Sequence, residues 1–214
     1  MYVKNRMNTN VITIKEDDSI SKAFRLMMES GYSQLPVVKD GKLIGLVTEK
    51  LLTEVSPSKA TSLSVYEINY LLSKTKVKDI MLTNLYTVSP DMLIEEAAVL
   101  LRSNDIGSLP VVAEDNTLLG ILTRTDIFDA FLEFLGANDK GTRISLEVKD
   151  ELGTLADISN IIKEYGINIQ HVSNYHVENG QSEIIIRLNT TDVDDLLNSL
   201  KEKGYNILSV IKKN

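Results

Sequence analysis

"LPVVKDGKLIGLVTEKL", residues Leu35–Leu51, is the stretch that decides the fold. Two apolar, β-branched runs flank Asp40–Gly41, a dipeptide suited to the type I′ turn, in which both central residues take positive φ. The stretch therefore predicts a tight antiparallel hairpin that passes into a helix near Glu49. Its wording returns downstream as "LPVV" at Leu109–Val112 and "GILTRTD" at Gly120–Asp126. The two copies differ where it matters chemically: Asp126 stands where the first copy has Leu51.

Working outward, a shift of 74 aligns "YVKNRMNTNVITI" (Tyr2–Ile14) with "KVKDIMLTNLYTV" (Lys76–Val88). It also superimposes Asp17 on Asp91, Ile20 on Ile94 and Ala23 on Ala97. One extra residue in the second turn then aligns Gly45 with Gly120 and Thr48 with Thr123. Ordered matches of this kind mark an internal repeat. Each copy reads as strand, helix, strand, strand, helix. Val11–Ile14 is a short β-branched run. Asp17, Asp18 and Ser19 offer N-caps to a helix carrying Ile20, Ala23, Phe24 and Met27, which Gly31 closes. Met27 and Met28 read as core. In the second copy Asp115–Asn116 takes the turn, and Ile127, Phe128, Phe131 and Leu132 lie on the closing helix. Ser56–Ser64 is a polar loop, followed by a short helix around Tyr66–Leu72.

After Gly136–Gly141 the pattern changes. Thr142–Val148 reads as a strand and Thr154–Glu164 as a helix ended by Gly166. "INIQHVSNYHV" runs as a strand to an Asn179–Gly180 turn and "SEIIIRL" follows. Val193, Leu196, Leu197 and Leu200 mark a helix closed by Gly204, and "YNILSVI" is the last strand. The order βαββαβ is that of a ferredoxin-like unit. The fold class is α/β (α+β): a duplicated βαββα module, then this unit.

Composition narrows the function. The chain has 214 residues, no cysteine and a net charge of −7, with acids outnumbering bases in both parts. Disulfides and thiolate chemistry are excluded, and there is no basic excess for a phosphate backbone, so nucleic acid is not an expected partner. No apolar run reaches ~18 residues and the N-terminus lacks a signal-peptide core, so a membrane is not expected and the expected location is cytoplasmic. His171 and His176, five apart on a strand, point to opposite faces, so no metal site is expected. No residue set suggests a nucleophile with its base, a catalytic cofactor or a P-loop, and the chain is not read as an enzyme.

On these motifs the duplicated part, "LPVV" with the DG hairpin and Gly-h-h-Thr-x-x-Asp, resembles a tandem pair of CBS domains. The stretch "KDELGTLADISNIIKEYGINI" (Lys149–Ile169) resembles an ACT domain. The combined order is similar to acetoin-utilization-type (AcuB-like) regulators. The resemblance implies residues 1–75 as the first CBS domain with a linker helix, 76–136 as the second, 137–141 as linker and 142–214 as the ACT domain. It further implies an adenosine nucleotide (AMP, ADP, ATP or S-adenosylmethionine) as regulatory ligand in a cleft between the copies. An amino acid at an ACT dimer interface, a homodimer and a regulated protein of unknown identity also follow from it.

The Thr-x-x-Asp geometry has its own logic. Asp126, in a first helical turn, gains from the helix dipole and can accept from both hydroxyls of a ribose diol. The same carboxylate can equally serve as a cap. Thr123 and free helix N–H groups suit a phosphate or ribose, and Arg124 is within reach of phosphate. The family's pseudo-two-fold arrangement joins Ile121, Thr123 and Asp126 to Ile12, Thr13, Ser33, Leu35 and Pro36. The symmetry-related cleft would use Thr48, Leu51, Tyr86, Gly107 and Pro110; it lacks the carboxylate and the serine and is read as vestigial. In the ACT part, Gly153, Leu155 and Asn168 are the candidate amino-acid contacts, with Leu152 where the family loop often has proline. A constitutive scaffold with relic clefts is the alternative function.

Overall fold

The computed structural model describes residues 1–56, 64–177 and 180–214. The polar loop expected at Ser56–Ser64 and the Asn179 half of the expected turn lie largely outside these residues. Contacts divide the chain into two compact units, Met1–Phe128 and Asp129–Asn214.

The first unit contains the repeat. Copy one comprises α1 (Ile20–Ser30), β1 (Gln34–Lys39), β2 (Lys42–Thr48) and α2 (Glu49–Val55), with α3 (Val65–Lys74) leading to copy two. Copy two comprises α4 (Ile94–Ser103), β3 (Ser108–Val112), β4 (Leu118–Thr123) and α5 (Arg124–Phe134), of which residues up to Phe128 belong to the first unit. Ser19 caps α1 by accepting from Lys22 N, and Gly31 ends it at φ 73°. Asp40 and Gly41 stand at φ 51° and 78°, as the hairpin reading requires. Both hairpins carry a bulge at the same place, between Val37 and Val38 and between Val111 and Val112.

The expected first strand of each copy shrinks to a single bridge. Ile14 pairs with Val37 and Val88 with Val111, both parallel. The reason lies in the "LPVV" motif itself. Ile14 N donates to the Pro36 carbonyl, so Pro36 presents its backbone to the incoming segment, yet it has no N–H to continue the ladder. Pro110 does the same to Val88.

The copies exchange their leading segments. Asn8 bridges Ile121 of the other copy, and Leu82 bridges Leu46 in return. Val3 is fully buried among Val88, Leu101, Leu109 and Leu122, whereas Val77 is buried among Ile14, Leu35 and Val47. Single 3-10 turns at Val3–Asn5 and Val77–Asp79 set up these crossings. Met27 lies in the core as expected; Met28, one position round the helix, is 83% exposed.

The second unit is β5 (Gly141–Lys149), α6 (Thr154–Glu164), β6 (Ile169–Val177), β7 (Gln181–Leu188), α7 (Asp194–Glu202) and β8 (Asn206–Lys213). Its antiparallel sheet has the order β6-β7-β5-β8. Alternate residues Ile144, Leu146, Val148, Ile184, Ile186 and Leu188 form one buried core with Ile158, Ile161, Ile162, Leu196 and Leu200 of the two helices. The residues read as a linker are held by this unit. The His171 ring meets the Phe134 carbonyl at 3.1 Å and the Asp139 carboxylate at 2.7 Å. Arg187 Nε donates to the Leu135 carbonyl at 2.6 Å, and Lys213 Nζ to that of Ala137 at 3.1 Å. Gly136, at φ 59°, permits this approach: a Cβ there would lie 2.4 Å from the His171 ring.

Candidate functional site

The strand β4 delivers Thr123 to the start of α5, where the chain must satisfy the first helical N–H groups. Thr123 Oγ1 accepts from Asp126 N at 3.2 Å. Asp126 Oδ2 in turn accepts from the Thr123 N–H and the Thr123 hydroxyl, both at 2.7 Å. This reciprocal cap fixes the carboxylate and leaves Oδ1 without a partner in this arrangement. In the first copy Thr48 caps α2 by accepting from Leu51 N at 3.2 Å, but Leu51 returns no bond. The same backbone device thus survives without its acid.

Asp126 opens on a cavity of 410 Å³ lined from both copies. Val11, Ile12 and Ile121 give it an apolar wall, and Ser33, Gln34, Gly107 and Ser108 a neutral polar one. Tyr32 and Asn8 stand at its margin, linked by an Asn8 Nδ2 to Tyr32 Oη bond of 3.3 Å. Ser108, only 4% exposed, donates to the Gln34 carbonyl oxygen. Gln34 and Ser108 are equivalent positions of the two copies, so this bond sits where the repeat meets itself.

Of the residues expected together, Ile12, Ser33, Ile121, Thr123, Arg124 and Asp126 do line one cavity. Leu35 does not: it is fully buried in the core, because β1 alternates and Gln34 takes the cavity side. Pro36 is buried and spends its carbonyl on Ile14 N; Thr13 is partly buried and lines no wall of this cavity. Gly107, assigned to the symmetry-related cleft, lies in this one. Of that cleft's other residues, Tyr86 is 51% exposed and Pro110 is buried with its carbonyl on Val88 N.

Two chemical expectations change. Two of the helix N–H groups beside Thr123 are not free: Arg124 N donates to the Gly107 carbonyl at 3.2 Å and Asp126 N to Thr123. Arg124 is also engaged: its Nε donates to the Ile106 carbonyl at 2.9 Å and its Nη2 pairs with Asp105 at 2.6 Å. Gln34, Ser108, Tyr32 and Asn8 escaped the sequence reading. The repeat register could have found the Gln34–Ser108 pair, since both occupy the position before "LPVV".

In the second unit a cavity of 550 Å³ gathers Gly153 and Leu155 with Asp150, Thr154, Asn174 and Ser182. Asn168 is not part of it. β6 runs parallel to β5, so Asn168 lies at the end of the sheet away from Gly153, bonding Asn189 through N–H and carbonyl. Asn174, halfway along β6, lines this cavity instead. His171 and His176 do face opposite ways, toward Asp139 and Asp150 respectively. No metal-ligating cluster occurs among the described residues. Among them, too, no helix is long and apolar enough to cross a membrane.

The family model for the CBS domain matches residues 3–57 and 77–133, and that for the ACT domain matches 142–210. The chain belongs to the CBS-domain family and carries an ACT domain. Among curated relatives, a homoserine O-acetyltransferase of Methanohalobium evestigatum is 37% identical over 62% of this chain and 24% of its own. An inosine-5′-monophosphate dehydrogenase of Korarchaeum cryptofilum is 33% identical over 79% of this chain and 33% of its own. The chain thus spans a quarter to a third of these enzymes. A solved structure of CBSX2, a CBS-pair protein of Arabidopsis thaliana, in complex with AMP is 30% identical, with a TM-score of 0.52 over 62% of this chain and 96% of that one. A Vibrio cholerae protein assigned to acetoin utilization, AcuB, is 25% identical, with a TM-score of 0.53 over 64% and 95%.

Proposed function

We propose that this CBS-ACT protein is a non-catalytic sensor that binds one adenosine-containing ligand per chain in the Asp126 cavity and controls a metabolic partner. The observation that carries this reading is the convergence of Ile12, Ser33, Ile121, Thr123 and Asp126, from two copies of the repeat, on one cavity. A carboxylate held by its own cap, with an oxygen to spare, suits a vicinal diol. The apolar wall suits a base. The AMP complex of CBSX2 supports the ligand class, and the likeness to AcuB supports a role near acetoin utilization. An amino acid in the Gly153–Asn174 cavity, homodimer formation and a cytoplasmic location complete the proposal.

Ligand control of a partner is a coupling free energy and works in both directions: the partner must alter ligand affinity as the ligand alters partner affinity. A thermal-shift panel of adenosine ligands tests the reading. A ligand at 100 times its Kd stabilises by about 2.7 kcal/mol, a shift of several degrees. Absence of any shift with adenosine, AMP, ADP, ATP and S-adenosylmethionine refutes it. The scaffold reading draws on Leu51, which shows that one cleft has lost its acid. It predicts that empty result.

A further inference from the structure

We propose that the Asp126 cavity selects, among adenosine ligands, those whose 5′ substituent is uncharged or cationic, and that Gln34 presents the amide donors which hold that substituent. The inference rests on the adenosine reading above and narrows it.

The charge at the site is the first support. Among the described residues lining the cavity, Arg124 is the one cation and Asp126 the one carboxylate. Arg124 gives its Nε to the Ile106 carbonyl and its Nη2 to Asp105, an exposed pair that partly offsets its charge. A phosphoryl chain is ordinarily held by Arg or Lys forks, or by unsatisfied N–H groups at a helix start. Here the N–H groups of Arg124 and Asp126 are spent on Gly107 and Thr123, which leaves that of Thr125, a single neutral donor, beside the cavity. An anionic chain would enter beside the Asp126 carboxylate, and like charges in a partly buried site repel.

The second support is the neutral wall. With the ribose held by Asp126 and the base against Val11, Ile12 and Ile121, the 5′ end is left to Ser33, Gln34, Gly107 and Ser108. The Ser108 hydroxyl occupies the Gln34 carbonyl oxygen, which fixes the direction of the amide. Its NH2 group then lies over Gly107, where a Cβ would stand 2.6 Å from Nε2. Gly107 is therefore room made for an amide rather than a serine lost. An oriented, uncharged donor pair suits a hydroxyl, an ether-like atom or the polar end of a longer neutral tail, and it offers a phosphoryl group no countercharge.

Titration calorimetry with adenosine, methylthioadenosine, S-adenosylmethionine, AMP and Mg-ATP decides the matter. Adenosine and the two thio ligands are expected to bind at least tenfold more tightly than ATP, with AMP between. Gln34→Ala is expected to weaken the uncharged ligands about five- to tenfold, the worth of one or two hydrogen bonds. Gln34→Arg is expected to reverse the order in favour of AMP. ATP or AMP binding more tightly than adenosine to the unaltered protein overturns the proposal while leaving the adenosine reading intact. An unchanged order in Gln34→Arg overturns the role of Gln34. Failure of all five ligands overturns the adenosine reading itself.

Discussion

Asp126→Ala removes two different things, and their sizes can be separated. The first is the cap. Asp126 Oδ2 takes two bonds of 2.7 Å from Thr123, and losing a helix cap costs about 0.5–2 kcal/mol of stability. The second is the ligand anchor. A diol gives two hydrogen bonds to a charged acceptor, each worth about 1.5–3 kcal/mol when made and buried. Water re-entering a cavity of 410 Å³ returns part of that, so a net loss of about 2–3 kcal/mol, or roughly 30- to 150-fold in Kd, is expected. Urea denaturation reads the first quantity and adenosine titration the second. Asp126→Asn separates them further: its amide oxygen can still accept from Thr123, so most stability returns, but the charge that holds the diol does not. Leu51→Ala is the matched control in the other copy, expected to change adenosine affinity less than about twofold. Binding by Asp126→Ala within threefold of the unaltered protein would refute the reasoning, as would an equal loss from Leu51→Ala.

Other consequences follow from individual contacts. Thr48→Ala should cost about 1 kcal/mol in urea unfolding through the α2 cap, with no effect on adenosine titration. Gly136→Ala forces a left-handed residue to carry a Cβ 2.4 Å from His171, and a loss of about 2–3 kcal/mol is expected. Histidine NMR should show the His171 ring displaced from Asp139 in that variant; an unmoved ring would count against the docking of residues 134–139. Gly141→Ala is harsher, since its Cβ would lie 1.9 Å from the Leu188 carbonyl oxygen within the β5–β7 pairing. Amide exchange in β5 and β7 should accelerate strongly, whereas protection equal to the unaltered protein would contradict that packing.

What could be read in advance was what local chemistry determines. The Asp40–Gly41 turn, the Gly31 cap, the closing helices and the βαββαβ order all rest on spacing and turn residues within a few positions. The failures were non-local or one residue away. Val11–Ile14 has the composition of a strand, but its partner presents Pro36 and Pro110 is the same in the repeat, so only a bridge forms. The exchange of Val3 and Val77 between cores depends on which copy each segment crosses, and periodicity carries no such information. At the site, Thr123 and Asp126 were legible because both roles fall within one helical turn. Leu35 was misplaced by one step along β1, which in a strand means the opposite face, and Gln34 was missed by the same step. Asn168 failed for a different reason: it stands just before β6, at the end of the sheet away from Gly153, and Asn174 lines that cavity instead.

The central claim is that the repeat keeps one working cleft and that Asp126 marks it. The number of adenosine-ligand sites per chain, measured by calorimetry at protein concentrations well above Kd, tests it most directly. One site per chain in the unaltered protein, lost in Asp126→Ala and kept in Leu51→Ala, is the predicted result. Two equivalent sites, or one site that survives Asp126→Ala, would contradict it.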